Sequence, residues 1–158
     1  MNETSYSMAS IESFCARFWQ GHRLYITPMS YPVTFTTLAQ NTTQTGTINI
    51  QANADFVLLE LAFRANIGAA QTESTVTATF IRALITDTGS SEQFTNSAVD
   101  LETWASNSQR MRPLPYPRII QGRSALSIQV TNYSPAAESY TFDLVLHGVH
   151  VRAYTDQR

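Results

Sequence analysis

The chain changes its hydrophobic rhythm once. In its first stretch Ile11, Phe14, Cys15, Phe18 and Trp19 recur at the spacing of one helical face, with Ser10 placed to cap the helix and Gly21 to end it. About ten residues of helix are marginal alone. The apolar stripe therefore needs cover, either from the chain's own sheet or from a neighbouring subunit. From Leu24 onward the rhythm shortens to β-type runs separated by turn residues, the spacing of a sandwich or barrel. Strands are predicted near Arg23–Ile26, Thr34–Leu38, Gly46–Gln51, Phe56–Arg64, Thr75–Ile85, Ser124–Asn132, Tyr140–His147 and Val149–Tyr154.

Three segments say more than the rest. Leu126, Ile128 and Val130 alternate with Ser127, Gln129 and Thr131, as a half-buried strand does. Phe56 to Phe63 is apolar nearly throughout, Glu60 excepted, which predicts a central strand covered on both faces. Tyr140, Phe142, Leu144 and Leu146 fall on even positions, but Val149, Val151 and Ala153 on odd ones. A slip at Gly148 predicts a β-bulge, so one long bent strand is as good a reading as two.

Between Asp87 and Gln121 the pattern is lost. Pro113, Pro115 and Pro117 alternate with Leu114, Tyr116 and Arg118, which predicts an extended, non-laddered arm or edge crossing. The expected organisation is an N-terminal arm with an amphipathic helix over residues 1–22, then one β-sandwich domain over residues 23–158.

Composition adds a bias toward assembly. Charged residues make up only 14% of the chain, against roughly 25% in average soluble proteins. All ten basic residues are Arg, the cation that tolerates interfaces because its guanidinium is planar and weakly hydrated. With a formal net charge of −2 and no basic stripe, nucleic acid is not an expected partner. Cys15 is the single cysteine, which leaves no intrachain disulfide and fits a reducing cytoplasm. The polar start, Met1 to Met8, does not read as a secretory signal, and no run approaches the ~18 apolar residues of a membrane span.

Candidate chemistry is sparse. Leu84 to Ser90 reads as an apolar strand ending in Asp87-Thr88-Gly89-Ser90, like the loop that carries one carboxylate in an aspartic protease. In a homodimer one copy would suffice, but the same residues are ordinary turn formers, and a turn is the favoured reading. His147 and His150 would share a face only across a bulge at Gly148, and no neighbouring Asp, Glu or Cys completes a metal shell. They are better read as surface or interface histidines. Asn41-Thr42-Thr43 and Asn132-Tyr133-Ser134 are read as turn residues rather than glycosylation sites. No nucleophile elbow or phosphate-binding glycine loop is present. No enzymatic activity, cofactor or metal is expected.

The order of pieces from about Asn53 to Tyr154 resembles the cement or decoration proteins of tailed-phage heads. The resemblance lies in Phe56 to Leu61, Ile85 to Ser90, Leu114 to Ile120, Arg123 to Tyr133 and Tyr140 to Val151. It implies an all-β, jelly-roll-like antiparallel β-sandwich, here with a short N-terminal helix or arm. It further implies a non-catalytic homo-oligomer, dimer or trimer, bound to the lattice of a major capsid protein. Such a subunit would sit on the capsid surface of the virion after assembly in the host cytoplasm, without nucleic acid or membrane as partner. Expected contact residues are Phe14, Phe18 and Trp19 on the helix, and Trp104, Met111, Arg112, Tyr116 and Arg118 on the proline arm. The alternatives are a tail, collar or connector component, a homodimeric aspartic protease using Asp87-Thr88-Gly89, or a module binding glycans or a host surface.

Overall fold

The computed structural model describes residues 6–68, 78–107 and 109–155. An initial helix, α1 (Met8–Phe18), is followed by β1 (Arg23–Leu38), β2 (Thr43–Asn49), β3 (Asp55–Ile67) and β4 (Ile81–Asp87). Two short strands, β5 (Glu92–Gln93) and β6 (Val99–Asp100), precede a single helical turn, α2 (Leu101–Trp104). The chain ends in β7 (Pro113–Ile120), β8 (Ala125–Asn132) and β9 (Tyr140–Tyr154).

One sheet has the order β1-β9-β3-β7 and the other β2-β8-β4-β5, with β6 lying along β4 as well. β1 pairs with β9, β2 with β8, β3 with β7 and β4 with β5, all antiparallel. The chain thus doubles back as one long hairpin about the β4–β5 turn, and that hairpin is rolled into two layers. This is a jelly roll. Inward-facing Phe35, Phe56, Leu61, Ile81, Ile85, Ile128, Phe142 and Leu146 fill the space between the sheets.

Several elements differ from what the spacing predicted. α1 begins a turn earlier: Ser7 is the N-cap and its hydroxyl accepts the Ser10 amide, so Ser10 is inside the helix. The first two predicted strands are one, β1, running through Pro28 and Pro32. Both prolines fall in the same phase of an edge strand, where their missing N–H groups face away from β9 and cost the ladder nothing. Of the predicted strand Thr75–Ile85, positions 75–77 lie outside the described residues, and the strand that is seen starts at Ile81. β2 lies earlier than predicted, ending at Asn49.

The slip at Gly148 has a different origin. β9 keeps an unbroken register with β1 from Arg23↔Tyr154 to Phe35↔Phe142. The irregularity lies on its other neighbour, where Leu58 faces Gly148 and Glu60 faces His147, leaving Leu59 as the extra residue of β3. The parity of apolar residues changes because β9 has two buried faces. Leu144, Leu146 and His150 point inward, whereas Val149 and Val151 point outward beneath α1. The proline stretch is an edge strand whose register with β3 holds at Ile120, Ile119 and Arg118, then resumes only at Pro113.

Candidate interaction surface

The stripe on α1 is covered by the chain's own sheet. Cys15 is wholly buried against Val57, Val149 and Val151, with Ile11, Phe14, Trp19, Leu24, Ile26 and Leu59 packed around them. Burial pushes the Cys15 thiol pKa up. What remains outside is a ridge shared by α1 and the chain leading into β7. Met8 is 77% exposed, Phe18 61%, Met111 57% and Tyr116 71%.

The two elements are stitched together. Tyr116 meets Phe14 edge-on at 5.4 Å between ring centres, and Phe18 meets Trp19 at 4.7 Å. The Tyr6 hydroxyl donates to the Leu114 carbonyl. Tyr6, Leu59, Glu60, Met111, Pro113 and His147 line a cleft of about 210 Å³ beside the ridge. Phe14, Phe18, Trp19, Met111 and Tyr116 are therefore gathered on one side of the four-stranded sheet. Sequence spacing missed Tyr6, which precedes the helix, and Met8, because with Ser10 read as the cap Met8 falls outside the predicted helix.

The other three expected contacts are engaged within the chain. Trp104 packs against the main core. The Arg112 amide donates to Ser106 Oγ at 2.6 Å, and its guanidinium donates to the Thr103 carbonyl at 3.0 Å. Arg118 pairs with Glu92 at 3.2 Å and lies 4.1 Å over the Phe94 ring. These side chains hold the long connection between β4 and β7 in place.

Sheet edges offer less than a jelly roll usually exposes. Prolines at 28 and 32 remove donors from the free edge of β1, and Pro113, Pro115 and Pro117 remove them from β7. Strand addition along this sheet is thereby disfavoured, which leaves side-chain faces as the contact surface.

The remaining motifs resolve into structure. Asp87 Oδ1 accepts the amides of Gly89 at 2.9 Å and Ser90 at 3.4 Å, closing the turn at the tip of the long hairpin. His147 and His150 do not share a face. His147 is exposed and 2.7 Å from the Ser30 hydroxyl, so it fits the surface reading, whereas His150 is buried beside Tyr31 and Phe56, because successive strand residues alternate. Asn132 is not an exposed turn residue. It is wholly buried, donating to the carbonyls of Leu38 at 3.0 Å and Glu138 at 2.8 Å. Among the described residues no group of three or more His, Cys, Asp or Glu is placed to hold a metal, and no helix is long and apolar enough to cross a membrane.

No family model and no curated protein matches the chain. Among solved structures it is similar to the infectious bursal disease virus VP2 subviral particle, with 14% identity, 82% of this chain and 36% of that one covered, and a TM-score of 0.35. The Gt strain of the same virus gives 16% identity, 84% and 33% coverage and a TM-score of 0.33. The Gx strain gives 15% identity, 85% and 38% coverage and a TM-score of 0.31. The chain spans about a third of the length of these proteins. These likenesses are distant, and the jelly-roll architecture rests on the strand order itself.

Proposed function

We propose that this chain is a non-catalytic structural subunit of a virus particle, a cement or decoration protein that seats on the lattice of a major capsid protein. The observation that carries the reading is the ridge of Met8, Phe18, Met111 and Tyr116, four large apolar side chains held outside a well-packed jelly roll. Exposed aromatics of this kind are the usual anchors of protein interfaces. The ridge is fixed by contacts between α1 and β7, so little ordering is needed on binding. A repeating lattice lets many modest contacts of this sort hold firmly, and homo-oligomerisation multiplies them. The resemblance of residues 53–154 to phage-head cement proteins points the same way.

The test is binding of the purified protein to empty expanded shells of the virus that encodes it. Saturable occupancy is expected, weakened about tenfold or more by Phe18→Ser or Tyr116→Ala. Occupancy indifferent to both changes would remove the ridge from the reading. Electron microscopy of the intact particle then separates head from tail: density for the chain on the collar or tail would replace the cement role.

A further inference from the structure

The four-stranded sheet exposes a polar and aromatic face at the pole where β1 begins and β9 ends. The Tyr31 hydroxyl already meets the Gln51 amide in the connection that leaves β2. Beyond that level the inward side of β1 and β9 loses its roof. Arg23 lies opposite Tyr154 and Tyr25 opposite Arg152, so the strand pleat sets two arginines and two tyrosines on one face in alternation. Tyr25 and Tyr154 are each more than half exposed.

A third arginine faces this group. Arg123, Arg152, Tyr154, Asn53 and Asp55 line an open cleft of about 340 Å³. The turn that carries Arg123 is fixed from below. The Gly122 amide donates to Asp55 Oδ1 at 2.8 Å, and a Cβ on Gly122 would stand 2.7 Å from the Ala54 carbonyl oxygen. Arg123 itself has φ +69°, a left-handed conformation that residues with side chains rarely adopt. Backbone held this way is found disproportionately at binding sites.

Among the described residues none of these cations forms an ion pair, although the Asp55 carboxylate lines the same cleft. Among the described residues the ion pair seen is Arg118 with Glu92, away from this pole. Arg152 Nε is buried and has no acceptor among the described residues. Arg123 and Arg152 thus line one cleft, with Arg23 on the adjoining face of the strand pair, at one end of a protein whose net charge is −2.

We infer that this pole is a docking site for an acidic segment of a partner polypeptide, taking a carboxylate between Arg152 and Arg123 with Tyr25 and Tyr154 as flat walls. A guanidinium edge presents paired donors that match the two oxygens of a carboxylate. The cleft has room for one or two side chains. It lacks the extended row of cations that following a phosphate backbone requires. The site is independent of the α1–β7 ridge and of the role proposed for it.

The test is nuclear magnetic resonance of the full chain titrated with a capped pentapeptide bearing three carboxylates, its amide-for-acid counterpart, and an oligothymidylate. The acidic peptide should shift the Arg152 side-chain Nε–H and the Arg123 amide saturably, and the counterpart should not. R152Q or R123Q should each weaken binding tenfold or more. R123Q changes an exposed turn residue and remains informative if R152Q impairs folding. Equal shifts from the uncharged peptide, binding within twofold of wild type in R123Q, or tighter binding of the oligothymidylate would each overturn the inference.

Discussion

The Tyr31 hydroxyl lies 2.5 Å from His150 Nε2 inside the sandwich and also receives the Gln51 amide at 3.1 Å. The hydroxyl accepts from the amide; donating its own proton to Nε2 would complete its bonding, and that arrangement requires the neutral ring with its proton on Nδ1. Burial, and after it the charge of Arg152, hold the His150 pKa below its ordinary value.

Stability should therefore fall in mild acid. The unfolded chain protonates His150 as the pH drops through about 6.5, while the folded chain resists, so the unfolded state binds more protons in that window. The contribution is complete above that value, is lost as the pH falls toward the folded-state pKa, and is level below it. Urea midpoints at about pH 8 and about pH 5 measure the slope, which His150→Gln should reduce. An undiminished slope in that variant would assign the effect to other groups.

Gly148 has no room for a side chain. A Cβ there would stand 2.0 Å from the Val57 carbonyl oxygen, where β3 takes up its extra residue. Backbone cannot yield as a flexible side chain does, so Gly148→Ala should cost about 3 kcal/mol, the upper range for overpacking. Equilibrium denaturation checks this; a loss below about 1 kcal/mol would mean that the irregularity can relax.

Asn132 ties three backbone groups together, since its Oδ1 also accepts the Ser134 amide at 2.9 Å. Asn132→Ala removes the partner of all three, two of them buried and the Glu138 carbonyl partly so. At roughly 1–3 kcal/mol for each unsatisfied buried group, a loss of about 3 kcal/mol or more is expected, with faster hydrogen exchange at Ser134.

Cys15 reports whether α1 is seated. Its burial and raised thiol pKa should make labelling by an aromatic disulfide about a hundredfold slower than for a free thiol. Val151→Asp puts a charge under the helix and should speed labelling about tenfold or more. Equal rates in the two proteins would mean that α1 stays docked despite the buried charge.

What the sequence made legible follows from what periodicity can encode. Leu126, Ile128 and Val130 are wholly buried as alternation predicted, and the Phe56–Phe63 run is an inner strand of its sheet. The switch of parity at Gly148 was visible, but a bulge and a second buried face leave the same trace. Pairing partners distinguish them, and these are not local. Pro28 and Pro32 fall between two predicted strands that are in fact one, because a proline's tolerance depends on whether the strand has a free edge. Of the exposed ridge, Phe18, Met111 and Tyr116 were legible. The engagement of Arg118 with Glu92 and Phe94 depends on a fold-back across the long connection. The arginine pole is not local in sequence: Arg23 joins Arg152 by pairing of the first and last strands, and Arg123 comes from the turn between β7 and β8.

The order of synthesis runs against the order of the sheet. β9, the final strand described, is inserted between β1 and β3, so a nascent chain still lacking those fifteen residues holds two strands apart with no neighbour to join them. Val149 and Val151 are then missing from the seat of α1, and Val57 and Leu24 lose the strand that lies between them. The four-stranded sheet can be completed only after the ribosome has delivered Tyr140–Tyr154, so until that moment the growing polypeptide carries apolar strand surface of the kind that favours aggregation.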